Sequence, residues 1–280
     1  MSVSTRPLAF VAKPKKSSSI LPLNLPLSLS TLQRISAAVL AHNTATGFDL
    51  HTSTARDVNS MKPGALSPSQ AAVLLPLANI DGKPSILFQV RANLRMHSGE
   101  VSFPGGKKDD DDVDLEHTAM RETYEEIGLP ETCLQILSPF GPVEKSLGGS
   151  IVYPYVGFIS NSDIGPSATS SSTSDDRTPL PNLDLSKLSI NTAEVAMLFH
   201  LSIEELMDEN RLDQHKFRGR PPYWCINVSD KVPEEYWTTE RDPTSETHPG
   251  EPVLHHGRRL EIWGLTAWYL NIFMRAVGMW

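Results

Sequence analysis

A chain of 280 residues, 39% hydrophobic and 21% charged, can bury a core of ordinary size and reads as one or two globular domains. Its net charge of −8 leaves no general footprint for a polyanion, so nucleic-acid binding is not expected and any phosphate must be met by a local basic patch. Two cysteines, Cys133 and Cys225, exclude a thiolate zinc site and fit a reducing compartment.

In chain order, the first 48 residues carry Arg6, Lys13, Lys15, Lys16 and Arg34 with no acid before Asp49, and are rich in serine and proline. That composition fits a mitochondrial transit peptide and a disordered tail equally, and residues 1–29 are expected to be unstructured. The remainder, 30–280, is expected to be a single domain. LSTLQRISAAVLAH (29–42) has helical spacing behind a serine or threonine cap. AAVLLPLANI (71–80) and PSILFQVRA (84–92) flank Asp81-Gly82, a strong hairpin signal, and predict two antiparallel strands. A helix is expected up to Gly128, stopped by glycine at its end and Pro130 beyond.

Two further strands are predicted in CLQILSPFG (133–141) and SIVYPYVGFI (150–159). A serine, threonine, proline and aspartate tract at about 160–191 reads as a polar insertion too poor in apolar residues to order itself. VAMLFHL (195–201) predicts a strand and SIEELMDE (202–209) a capped helix; KFRGRPPYWCINV (216–228) holds another strand. A second polar insertion follows at about 230–255, then a strand leading into an apolar helix in RRLEIWGLTAWYLNIFMRAV (258–277). No stretch approaches the roughly 18–20 apolar residues of a membrane span, so no membrane association is expected. The C-terminus, AVGMW, is not an SKL-type address, which leaves mitochondrial, peroxisomal and cytoplasmic locations open.

The chemistry concentrates in RETYEEIGL (121–129). At 100° per residue Glu122, Glu125 and Glu126 share about a third of the helix circumference, and Ala119, Met120, Thr123 and Ile127 fall on another arc. Like charges three and four residues apart each cost roughly 0.2–0.5 kcal/mol unless a cation faces them, and carboxylates on adjacent turns suit Mg²⁺ or Mn²⁺. A solvated charged face is the plain alternative. Arg121 lies near Glu125 on the wheel, where it could pair with the carboxylates and hold their rotamers. From Gly105 the chain runs GGKKDDDDVDLEHTAMRETYEEIGL and resembles the Nudix hydrolase signature, Gly-x5-Glu-x7-Arg-Glu-U-x-Glu-Glu-x-Gly-U. Arg121, Glu122, Glu125, Glu126, Gly128 and Leu129 match its second half, with Thr123 where an aliphatic residue is usual. The first half departs: Arg121 lies one residue too far from Gly106, and Val113 holds the early glutamate's place. Asp112, Asp114 or Glu116 could substitute, or the role could be absent.

Upstream, LFQVRANLRMHSGEVSFPGGKKD (87–109) resembles the coenzyme A diphosphatase motif, Leu-Leu-Thr-x-Arg-Ser-x-x-Leu-Arg-x-His-x-Gly-x-x-x-Phe-Pro-Gly-Gly-x-x-Asp, at Leu94, Arg95, His97, Gly99, Phe103, Pro104, Gly105, Gly106 and Asp109. It departs at Arg91-Ala92-Asn93-Leu94, one residue short and without the serine. The resemblance implies an α/β fold, the Nudix α/β/α sandwich with a mixed β-sheet. It implies Mg²⁺ or Mn²⁺ held by Glu122, Glu125, Glu126 and the carbonyl of Gly105, with Glu122, Glu125 and Arg121 in catalysis. It further implies hydrolysis of coenzyme A or acyl-CoA to 3′,5′-ADP and (acyl-)4′-phosphopantetheine. A diphosphate and a 3′-phosphate need cations, which Arg91, Arg95 and Lys107, with Lys108 beside it, could supply. His97 is expected to be satisfied by backbone in a turn, and Glu194 is a candidate distant carboxylate. The partner is thus a small nucleotide, the protein a monomer or homodimer. Two alternatives stay open: another nucleoside diphosphate substrate (NADH, ADP-ribose or an oxidised nucleotide), and a catalytically silent nucleotide-binding module.

Overall fold

The computed structural model describes residues 20–50, 69–92, 99–162, 177–216, 218, 221–237 and 259–280. Among them, eight strands form one mixed sheet: β1 (Gln70–Ile80), β2 (Lys83–Arg91), β3 (Val101–Ser102), β4 (Gly105–Lys107), β5 (Leu134–Pro139), β6 (Glu144–Lys145), β7 (Ile151–Ile159) and β8 (Val195–Ser202). The path runs β3-β2-β1-β7-β5, with β8 on β2, β4 on β1 and β6 on β7. The β1–β7 pairing is parallel and the others are antiparallel. The expected hairpin forms, Ile80 opposite Lys83 across Asp81-Gly82, with positive φ at both turn residues (51° and 73°).

The pleat of β1 sorts its apolar residues between two cores. Leu75 and Leu77 enter one, and Ala72, Leu74, Ala78 and Ile80 the other. Helices α1 (Leu29–Thr46) and α4 (Gly264–Ala276) cover the first face, and α2 (Leu115–Ile127) covers the second with Leu115, Ala119 and Ile127. The result is the expected α/β/α sandwich around a mixed sheet. Ser28 caps α1, and Gly47 closes it in the left-handed conformation. Ser202 and Glu205 form a reciprocal capping box on the single turn α3 (Ile203–Leu206). No described helix is long and apolar enough to cross a membrane.

A second sheet of three strands, β9 (Leu212–Lys216), β10 (Pro222–Asn227) and β11 (Glu261–Ile262), was not foreseen beyond its last two members. It attaches to α4 through Asn271, whose side chain bonds both the N–H and the C=O of Trp224 at 2.8 Å.

The boundary of the N-terminal tail needs correction. Leu21 and Leu27 are in the main core and the Ile20 N–H bonds the Val277 carbonyl, so residues 20–28 are packed structure; residues 1–19 lie outside the described residues. The buried Asn79 of β1 holds this segment, accepting from the Leu27 N–H at 2.6 Å and donating to the carbonyls of Leu27 and Leu180. The same bonds correct the first insertion: from 177 the chain packs onto the sheet, with Leu183 buried, and only 163–176 lie outside the described residues. In the second insertion, 230–237 contain the buried Val232 and a 3₁₀ turn, Glu234–Tyr236, after which the Trp237 indole donates to the Val232 carbonyl; 238–258 lie outside the described residues.

Candidate active site

The glutamate helix is built as its sequence requires. Asp114 caps α2 by accepting from the His117 N–H at 2.8 Å, and Gly128 ends it in the left-handed conformation. A side chain on Gly128 would also strike the Ser189 backbone, for residues 189–191 fold against the helix end and bond the carbonyls of Ile127 and Glu126. Thr123, at the usual aliphatic position, is buried and returns its hydroxyl to the Ala119 carbonyl at 2.7 Å, so it packs without an unpaired group.

The strand pair β1–β4 lays Gly105 and Gly106 along the inner edge of α2. Gly105 has φ of 146°, and a Cβ there would lie 2.3 Å from the Ala72 carbonyl oxygen. A Cβ on Gly106 would lie 2.3 Å from a Glu122 carboxylate oxygen, so the missing side chain is what lets that carboxylate rest on the strand. Glu126, 3% exposed, accepts from the Gly105 N–H at 2.8 Å. Burial pushes its carboxyl up to about 7, against the lowering effects of that N–H, of the Gln89 amide and of Arg91. Burial also raises Glu122, and the charges of Glu125 and Glu194 add to the rise while Arg121 opposes it.

Arg121 is the hub. Its Nε and Nη2 donate to the two oxygens of Asp112 at 2.9 Å, its Nη2 also to the Lys107 carbonyl at 2.9 Å and to Glu122 at 3.2 Å, and its Nη1 to Glu125 at 2.8 Å. The Asp112 side chain is 1% exposed and accepts further from the Asp109 N–H, the Thr118 hydroxyl and the His117 ring. The guanidinium, ahead of these lesser donors, holds its carboxyl well below the usual carboxylate range. Among the three candidates to replace the missing glutamate, Asp112 therefore grips Arg121, Asp114 is the helix cap, and Glu116 bonds neither. Val113 is 82% exposed and takes no part. The four aspartates look equivalent in sequence; only the turn into α2 turns the fourth inward.

The structure brings Glu122, Glu126, Arg121 and Gly105 together, with Arg91 and Glu194 close enough to act on the carboxylates. Glu125 lies at the rim, its side chain 49% exposed. Lys107 is exposed on β4. The Lys108 ammonium is turned back onto the carbonyls of Asp109 and Asp112, so it is committed to the loop. Arg95 and His97 lie outside the described residues. Sequence reasoning passed over Gln89, a fully buried amide on β2 facing Glu126, because a glutamine inside an apolar strand carries no distinctive signal.

Among the described residues no three acidic, histidine or cysteine side chains converge as a ready metal cage. The donor set nevertheless suits a divalent cation. Burial raises both Glu122 and Glu126, a backbone turn without side chains lies beneath Glu122, and hard oxygen donors are what Mg²⁺ and Mn²⁺ take. Glu125 could join them by leaving Arg121, which keeps its anchor on Asp112; an exposed i,i+4 pair is worth only about 0.3–0.5 kcal/mol.

Residues 68–177 match the NUDIX domain model. The chain is 34% identical over 173 residues to the mitochondrial coenzyme A diphosphatase NUDT8 of Mus musculus, covering 61% of this chain and 72% of that protein. The Homo sapiens NUDT8 is 32% identical over 173 residues, 61% and 64% of the two chains. Nudix hydrolase 3 of Caenorhabditis elegans is 30% identical over 217 residues, 76% of each chain. Nudix hydrolases generally use divalent metal ions. With the signature's second half in register on α2 and relatives of this kind, the chain belongs to the Nudix hydrolase family: it is a diphosphatase-type hydrolase whose resemblance lies with the coenzyme A diphosphatases.

Proposed function

We propose that the protein hydrolyses the diphosphate bond of coenzyme A or an acyl-CoA, giving 3′,5′-ADP and (acyl-)4′-phosphopantetheine. The observation that carries this reading is the pair Glu122 and Glu126 laid over the side-chain-free turn Gly105-Gly106, with Arg121 locked behind them by Asp112. The likeness to the coenzyme A diphosphatases of mouse and human supports the choice of substrate. Glu122, Glu125, Glu126 and the Gly105 carbonyl would hold Mg²⁺ or Mn²⁺. Bound there, a divalent ion neutralises the leaving phosphate and lowers the pKa of the attacking water.

The chain's own residues do the rest. Arg121 fixes the Glu122 carboxylate's rotamer, and its charge opposes the rise that burial imposes on that carboxyl. Arg91 and Lys107, with Arg95, offer positive charge to the diphosphate and the 3′-phosphate. The exposure of Val113 does not favour a silent module, because Asp112 supplies Arg121 with its acidic partner. The test is incubation of purified protein with coenzyme A, NADH, ADP-ribose and an oxidised nucleoside triphosphate, with and without Mn²⁺, the products separated by chromatography. Metal-dependent appearance of 3′,5′-ADP is expected from coenzyme A first; faster turnover of another member of the panel overturns the substrate assignment.

A further inference from the structure

Below the glutamate helix the sheet carries polar groups that the proposed chemistry leaves unused. Along β2, Ile86, Phe88 and Val90 enter the core beneath α1 and α4, so the pleat turns Leu87, Gln89 and Arg91 toward α2. Gln89 is 0% exposed, and neither its Oε1 nor its Nε2 has a partner of hydrogen-bond geometry. Its cross-strand neighbour on β3 is Ser102, whose buried hydroxyl is also unpartnered, as is the Nε of Arg91 two residues along. Residues directly opposite in an antiparallel pair have Cβ atoms about 4.5–5.5 Å apart, within reach of a glutamine and a serine.

An unpaired buried polar group costs roughly 1–3 kcal/mol, and such groups in a native fold call for an explanation in terms of function or a missing partner. Three on one patch of sheet beside Glu126 supply one. Gly105 holds a single oxygen of that carboxylate from the loop side. The Gln89 amide lies on the sheet side, near enough to act on the carboxyl.

We propose that Gln89 is a positioning residue for Glu126: its Nε2 donates to the carboxylate from the sheet while the Gly105 N–H holds it from the loop, and its Oε1 accepts from the Ser102 hydroxyl. The chain of donors runs one way, from Ser102 through Gln89 to Glu126, so that the Ser102 hydroxyl and both atoms of the Gln89 amide each find a partner. The inference rests on the metal-holding role of Glu126 proposed above and deepens it. It does not depend on which nucleotide is cleaved.

Mn²⁺ binding, read from the free-ion electron paramagnetic resonance signal with no substrate present, tests it in wild type, Gln89→Met and Gln89→Leu, with thermal unfolding measured alongside. Methionine keeps most of the volume and removes the unpaired amide, so the melting temperature is expected to stay within a few degrees. Mn²⁺ affinity is expected to fall about 10–100-fold, the usual cost of losing a partner behind a ligand. Gln89→Asn, which keeps an amide one methylene shorter, is expected to fall between and serves if the apolar variants do not fold. Variants that bind Mn²⁺ as tightly as wild type, whatever their melting temperature, assign Gln89 to packing and overturn the proposal. A wild type that binds no Mn²⁺ overturns it together with the metal reading, whereas the coenzyme A assay tests the substrate separately.

Discussion

Asp112→Ala is the most informative single perturbation of the site. Asp112 accepts five hydrogen bonds, two of them from the Arg121 guanidinium, at a side chain 1% exposed. Breaking a buried pair by removing one partner costs about 3–5 kcal/mol when the other charge is left uncompensated. Here Arg121 keeps Glu122, Glu125 and the Lys107 carbonyl, so the lower end, about 3 kcal/mol, is expected from urea unfolding at pH 7. Arg121→Ala should cost about as much, and the double variant much less than the sum, because each single change strands the same interaction. The pH dependence has a definite sign. The folded carboxyl is depressed, so its contribution is complete above about pH 4, the unfolded carboxylate's range, and is lost as pH falls below that, by about 1.4 kcal/mol per unit. The stability gap between wild type and variant should therefore narrow in acid. Singles that add in the double variant, or a gap constant from pH 7 to pH 3, would refute the assignment of Asp112 as the anchor of Arg121.

Glu125→Gln should lower coenzyme A turnover by orders of magnitude and unfolding free energy by less than about 1 kcal/mol, since its exposed pair with Arg121 is worth little; turnover equal to wild type removes Glu125 from the site. In Gly106→Ala the new methyl meets the Glu122 carboxylate, the movable end of a side chain. Activity should thus fall at least tenfold with a stability change near 1 kcal/mol, measured by steady-state kinetics and thermal melting. Asn79→Ala removes three side-chain bonds, strands the Leu27 N–H and the Leu180 carbonyl while the Leu27 carbonyl keeps the Leu180 N–H, and should cost about 2–3 kcal/mol. Hydrogen exchange of both segments should accelerate before that of the sheet.

Much of the frame was legible because its signals are local. Asp81-Gly82 fixed the hairpin, and the Arg121–Leu129 register placed both the glutamates and the helix stop. Residues 20–28 misled because prolines and serines say nothing of the two leucines that Asn79 and α4 receive. Strand β9, LDQHK, is polar on both faces and gains its place only by pairing with β10. Within the site, the inward aspartate and the buried Gln89 could not be singled out, because each depends on which way a turn or a pleat points its side chain.

The central strand has one more consequence. Among the described residues, β1 is the one strand that pairs with the Gly105-Gly106 turn, and β1 in turn lies beside β7, Gln70 opposite Ile151, far later in the chain. Contacts this distant in sequence are assembled late, since a long loop must first be closed. While the polypeptide is being made, β1 therefore waits for its parallel neighbour until the segment through Ile159 has emerged.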